Sequence, residues 1–299
     1  VGGVVEVPGP DDNRQPVRGR HPAGNAVTGA AAITAALTLR HHRTQEDLPM
    51  TPTRRAACLL ALAAFGPATP ADAADAAGGP QTYTVRGFDS SHHNHETRNG
   101  EKAYDWPAIA HDGQQFVWLK ATEGTGTVDN WFTRDLAGAR SANLIHGAYH
   151  YFRPDQDGAA QADHFLATLR GAGHTGTKPG ELPPAVDVEA CTRDGHRLQL
   201  AQLGAFLRRV EHATGSAPAV YTRRDIVDDC LGGTKDLAGH PSWLARYGTT
   251  EPRPLPGATT WDFWQHSDHA QLPGTAGLPM DADVFHGDRA ALRRLAHLG

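Results

Sequence analysis

From residue 83 onward the chain alternates between short apolar runs rich in β-formers and longer stretches with helical period. The runs cover 83–88, 116–119, 145–151, 185–188, 219–221, 243–245, 261–264 and 282–285. Several are continuously apolar rather than alternating, which is the pattern of strands covered on both faces. Helical spacing appears at 131–142, behind Asn130 as a candidate N-cap. It returns at 159–170, where Phe165, Leu166 and Leu169 share a face ahead of Gly171, and at 198–214, where Leu200, Leu203, Phe206, Leu207 and Val210 form one stripe ahead of Gly215. A last helical stretch covers 289–298. Strand alternating with helix over about 210 residues predicts an α/β fold, a single-domain TIM-like β/α barrel. The helical stretches shorten in the second half, so the helix ring is expected to be incomplete. A doubly wound open sheet is the alternative, but no Gly-rich phosphate loop follows any run.

The first 73 residues read differently. Residues 1–49 show no sustained period and are expected to be disordered, an upstream translation artefact ahead of Met50. Arg54 and Arg55 then precede an apolar stretch at 56–65, Pro67 and Pro70 break any helix, and Ala71-Asp72-Ala73 fits a small-x-small cleavage site. That order is the layout of a secretory signal peptide over 50–73. A short buried helix is the alternative. A short segment, 74–83, then leads into the barrel domain at 84–299.

Composition narrows the class. The chain has 28 Lys+Arg against 33 Asp+Glu and 39% apolar residues, which argues against wholesale disorder and against a dedicated nucleic-acid binder. Seven of those bases and six of those acids lie before Ala74, so the remainder carries a net charge of -6 rather than -5. Its cysteines are Cys191 and Cys230, read as one disulfide in an exported protein, with two free buried thiols as the alternative.

The chemistry sits just past the apolar runs. Asp89 ends the first, Lys120 to Glu123 follow the second, and Tyr149 and His150 lie in the third. Asp187 and Glu189 end the fourth, Tyr221 the fifth, Arg246-Tyr247 the sixth and Gln265-His266 the seventh, while Asp281 opens the eighth. In a barrel the C-terminal strand ends converge on the face that carries active sites. Asp89, Asp187, Glu189 and Asp281 would then share one acidic cleft. Asp187 and Glu189, two apart in an extended segment, point to the same side about 7 Å apart at Cα. Two carboxyls at that range cannot both ionise freely, so one is expected to titrate high. A protonated acid beside an ionised carboxylate is what glycoside hydrolysis needs. A salt-bridged surface pair is the competing reading of D-x-E alone.

Seven segments in order resemble the glycoside hydrolase family 25 lysozymes, which are N-acetylmuramidases. They are Gly87-Phe-Asp89-Ser-Ser, Trp118-Leu-Lys120-Ala-Thr-Glu123-Gly, His146-Gly-Ala-Tyr149-His-Tyr-Phe-Arg153-Pro, Leu182-Pro-Pro-Ala-Val-Asp187-Val-Glu189, Trp243-Leu-Ala-Arg246-Tyr247, Trp264-Gln265-His266 and Met280-Asp281-Ala-Asp283-Val-Phe285. The resemblance implies Glu189 as the catalytic acid, Asp187 as its electrostatic or nucleophilic partner, and Asp89 and Asp281 completing the site. It implies Tyr149, Tyr221, Trp243 and Gln265, with Glu123 and Arg246, as substrate-positioning residues. Trp264 reads equally as sugar platform or core. The chain departs from the family pattern at Asp283, where Asn is common, and in a first loop crowded by His92, His93 and His95 and lengthened by residues 94–103.

The implied partner is the glycan strand of peptidoglycan, cut at the β-1,4 bond between N-acetylmuramic acid and N-acetylglucosamine. The implied setting is extracellular, for a monomer with no membrane association once the signal is removed. A non-catalytic wall-binding module and a chitinase-like hydrolase are the alternatives, although the D-x-x-D-x-D-x-E strand of chitinases is absent. No H-E-x-x-H helix or Cys-rich zinc spacing occurs, so no metal and no cofactor are expected, and the histidines of the first loop read as solvated.

Overall fold

A computed structural model describes residues 78–98 and 100–299. The expected artefact at 1–49 and signal peptide at 50–73 lie outside the described residues. Eight strands form the barrel: β1 Val85–Ser90, β2 Phe116–Glu123, β3 Ile145–Tyr151, β4 Ala185–Val188, β5 Ala219–Thr222, β6 Ser242–Ala245, β7 Phe263–Gln271 and β8 Pro279–Phe285. Strands β1 to β7 run parallel in chain order, and β8 closes the barrel antiparallel to both β7 and β1. The open-sheet alternative is thereby excluded, because β1 is bonded on both edges.

Helices cover the outside: α1 Trp106–His111, α2 Phe132–Ser141, α3 Gly158–Gly171, α4 Leu200–Thr214, α5 Arg224–Cys230 and α6 Arg289–Leu295. Among the described residues no α-helix separates β6 from β7 or β7 from β8, so the ring is incomplete as its sequence indicates. Asn130 is not the cap of α2. Trp131 holds that position with no side-chain cap, and the Asp129 carboxylate accepts from the Trp131 amide just ahead of the helix. The α3 N-terminus is capped by Asp157, whose carboxylate accepts from the Ala160 amide. Helix α4 ends where Gly215 turns left-handed at φ 72°. Helix α1 and helix α5 are too short to leave an apolar stripe in the sequence.

The alternation of each strand sorts side chains into two cores. Outward residues such as Phe88, Val117, Leu119, Val186, Val220, Leu244, Trp264 and Val284 pack under the helices. Inward residues fill the barrel with Val85, Phe116, Trp118, Ile145, Tyr149, Tyr221, Trp243, Phe263 and Phe285, and α6 packs on this cluster through Leu292 and Ala296. Glycines make room for the large rings. A Cβ on Gly147 of β3 would stand 2.2 Å from the Trp118 ring, and one on Gly87 of β1 would stand 2.6 Å from Phe116. Trp118 and Trp243 stack at 5.1 Å and close the barrel interior below the acids. The chain after β4 is tied to the end of α5 by a Cys191–Cys230 disulfide with Cα atoms 5.5 Å apart. Among the described residues, no helix is long and apolar enough to cross a membrane.

Candidate active site

The reversed direction of β8 decides the position of its acids. Seven parallel strands deliver their C-terminal ends to one face, and the antiparallel eighth delivers its beginning there. Asp281 thereby pairs with Asp89, and Asp283 lies one inward position deeper, opposite Gly87. The polar residues at the ends of the apolar runs extend the ladder rather than ending it: Lys120 to Glu123 belong to β2 and pair with β3.

A cleft of about 460 Å³ opens on this face, lined by Asp89, Asp187, Glu189 and Asp281 together with Glu123, Tyr149, Tyr221, Trp243 and Gln265. Nine of the ten residues expected there therefore meet. Arg246 does not: it is exposed and outside the lining, and its carbonyl accepts a 2.6 Å bond from the Trp264 indole. Trp264 itself is fully buried in the outer core, so it offers no sugar platform. Tyr247, one residue on and half exposed, faces the cleft in place of Arg246. Lys120, Tyr151, Arg193, Ser91 and His93 also line it. Of these, Lys120, Tyr247 and His93 stood in the sequence at strand ends or in the first loop. Arg193 carries no local signal, because a short hairpin after β4, Thr192–Arg193 with His196–Arg197, brings it over the cleft.

The acids differ in environment. Asp187 is buried and Glu189 is exposed just past the end of β4. Burial first, then the neighbouring Glu189 carboxyl, push Asp187 well above the ordinary carboxyl range. Asp187 Oδ1 is buried with no hydrogen-bond partner among the described residues. Asp89 is also pushed up, by burial and then by Asp281 and Asp283, and the Gln265 amide offsets part of this by donating to its Oδ2 at 2.6 Å. Gln265 is held in turn, since its carbonyl oxygen accepts from the Tyr221 hydroxyl at 2.8 Å and from Tyr247 at 3.3 Å. Asp283 is raised by burial and by Asp281, and it accepts from the Trp243 indole at 2.8 Å. Half-buried Asp281 is raised to about 6, chiefly by burial.

Glu123 behaves oppositely. Burial would raise it, but the Lys120 ammonium at 2.9 Å, with Arg193 and Arg153 within 3.7 Å, outweighs burial and holds it below the usual range. The wall near β2 is therefore a fixed ion network, and the side near β1 and β8 is a set of carboxyls shifted upward by burial and by one another.

The first loop is not simply solvated. His92 contacts Asp129 at 2.7 Å, and His95 is fully buried between the Tyr104 and Trp131 rings, with Nε2 at 2.8 Å from Asp135. Only His93 stays open, at the rim of the cleft. The loop's extra residues form a hairpin, Glu96–Thr97 with Gly100–Glu101.

A barrel that gathers an acid pair and further carboxyls at its C-terminal face is the layout of a glycoside hydrolase. The chain matches the family model for glycosyl hydrolases family 25 over residues 88–275, and it belongs to that family. It is 30% identical to Lysozyme M1 of Streptomyces globisporus over 94% of this chain and 96% of that one. It is 32% identical to the N,O-diacetylmuramidase of Arthroderma benhamiae over 81% of this chain and 98% of that one. Among solved structures, the bacterial lysozyme from Streptomyces coelicolor superposes with a TM-score of 0.63 at 30% identity, covering 72% of this chain and 98% of that one.

Proposed function

We propose that this glycoside hydrolase is a secreted lysozyme that cuts the β-1,4 bond between N-acetylmuramic acid and N-acetylglucosamine in peptidoglycan, with 50–73 as its export signal. The observation that carries the reading is the pairing of exposed Glu189 with buried Asp187, whose Oδ1 has no partner among the described residues. Relatives named lysozyme and N,O-diacetylmuramidase support the substrate class.

In this reading Glu189 gives its proton to the glycosidic oxygen as the bond to the sugar C1 breaks. Asp187 accepts the N–H of the substrate's 2-acetamido group and orients the amide oxygen to attack C1 from the opposite face. Water, giving a proton to Glu189, then attacks C1 from the first face and breaks the C1–amide oxygen bond, which restores the acetamido group, so configuration is retained. Positive charge developing at C1 is stabilised by the surrounding carboxyls. Gln265, aimed by Tyr221 and Tyr247, positions Asp89 and not the sugar directly.

Mass spectrometry of products from purified peptidoglycan tests the bond cleaved. Muramic acid at the reducing end is expected, and glucosamine there would reject the assignment. Proton NMR of the first-released anomer tests retention, and an initial α anomer would exclude it. Chitin supplied in parallel should remain uncut.

A further inference from the structure

Away from the cleft, at the N-terminal end of β3, three buried side chains of ligand type converge. His146 is the second residue of β3, while His174 and Glu181 lie on the connection from α3 to β4. One ligand atom from each lies within 4.8 Å of the others, and all three residues are buried. We propose that His146, His174 and Glu181 bind one divalent transition metal ion, best matched by Zn²⁺, which clips the α3–β4 connection to the base of the barrel.

Each side chain is prepared for that role. His146 Nδ1 lies 2.9 Å from the Leu144 carbonyl, so it carries the ring hydrogen and leaves the Nε2 lone pair facing the cluster. A ring N–H held by a backbone carbonyl is the usual support of a metal-binding imidazole. Glu181 Oε2 accepts from the Thr175 hydroxyl and from the amides of Thr175, Gly176, Thr177 and Lys178. That fixes the carboxylate and turns Oε1 toward His174. The independent pointer is His174 itself. It is fully buried, and neither ring nitrogen has a hydrogen-bond partner among the described residues. Its Nδ1 stands 3.4 Å from Glu181 Oε1, at ion-pair distance but outside hydrogen-bond geometry, and Nε2 has no partner among the described residues. That spacing is the edge of a tetrahedron around an ion with ligands at about 2.0–2.1 Å.

Two imidazoles and one carboxylate suit Zn²⁺ better than Mg²⁺ or Ca²⁺, which prefer all-oxygen shells. His146 and Glu181 also line a cavity of about 540 Å³, which leaves room for a water as fourth ligand. The Arg140 guanidinium now supplies the positive charge: it donates to Glu181 Oε1 at 3.2 Å and to His146 Nε2 at 3.4 Å, and the ion would take its place on both. Its side chain is about one-third exposed (36%) and already reaches the Ala172 and Gly173 carbonyls, so it has a route outward when the ion enters. The second His/Glu group, His92, His93 and Glu96, lacks a buried unpaired ring.

The test is titration of the chelator-treated full chain with Zn²⁺, read by calorimetry, and with Co²⁺, read by visible absorption. One ion per chain and a four-coordinate Co²⁺ spectrum are expected, with a melting temperature that rises with Zn²⁺ concentration. His174→Gln and Glu181→Gln should weaken binding by at least the roughly 10–100-fold that follows loss of a supporting partner. His93→Ala and Glu189→Gln should leave uptake unchanged, which separates this site from the cleft and from the catalytic reading. Absence of uptake by the unaltered chain, a six-coordinate Co²⁺ spectrum, or loss of uptake in His93→Ala rather than His174→Gln would overturn the proposal. The Co²⁺ result on the unaltered chain decides the matter even if a variant fails to fold.

Discussion

Asp281→Asn should stabilise the protein at neutral pH and leave its stability unchanged in acid. Asp281 titrates at about 6 against an ordinary 3.8, because burial and the nearby Asp268 and Glu189 carboxyls outweigh its hydrogen bond with Asn94. A carboxyl raised in the folded state binds its proton more tightly there than in the unfolded chain. Its contribution is therefore fully present below 3.8 and is lost as pH rises through about 6. The loss, at 1.36 kcal/mol per pH interval of one, amounts to about 3 kcal/mol above pH 6. An amide at this position is never charged and avoids that loss. For a domain of this size the gain corresponds to roughly 6–12 °C in Tm. Urea denaturation of both proteins at pH 3.5 and pH 7.5 measures it, with lysis of purified cell wall assayed alongside. Expected are near-equal stabilities at pH 3.5, a more stable variant at pH 7.5, and weaker lysis, since the cleft loses a carboxylate. An equal difference at both pH values would show that packing, not titration, sets the effect. No difference at either would refute the claim that folding raises the Asp281 carboxyl.

Glu189→Gln should abolish cell-wall lysis while leaving the thermal melt almost unchanged, because the residue is exposed and the amide is nearly the same size; retained lysis would remove it as proton donor. Gly147→Ala should destabilise by about 1–3 kcal/mol through overpacking against the Trp118 ring, seen as an earlier urea midpoint with an unaltered m-value. Removing the disulfide with Cys191→Ser and Cys230→Ser should cost about 3–4 kcal/mol in the chain-entropy model for a separation of 39 residues, measured by denaturation of the double variant against the oxidised parent.

Much of the cleft was legible because a barrel is a repetitive structure. An apolar run followed by a polar residue means a strand whose last inward side chain has left the core, and seven such runs in order place those residues on one rim, where the antiparallel eighth begins. What was misread turns on side-chain direction. Trp264 alternates outward along β7 and so lies under the outer layer, while Gln265 beside it points into the cleft. Arg246 and Tyr247 are adjacent at the end of β6, and only the path of the chain leaving the strand selects the tyrosine. The first-loop histidines looked solvated because nothing local to His95 signals that Trp131, in the connection before α2, will stack on it at 3.8 Å.

By itself, the sequence pointed to a β/α barrel with an incomplete helix ring, to the cysteine pair and to the four acids at the strand ends, and the closure of the sheet was left to the structure. Each follows from short-range order: hydrophobic period, strand-end polarity and cysteine count. Only the tertiary structure decided which acid of the D-x-E pair is buried, because Asp187 lies within β4 and Glu189 beyond its end. It also decided that an antiparallel β8 presents Asp281 at the rim and Asp283 below it, since register across the closing seam depends on strand direction. The same holds for His146, His174 and Glu181. Up to 35 residues separate them along the chain, and the return of the α3–β4 connection to the base of β3 brings their ligand atoms within 4.8 Å.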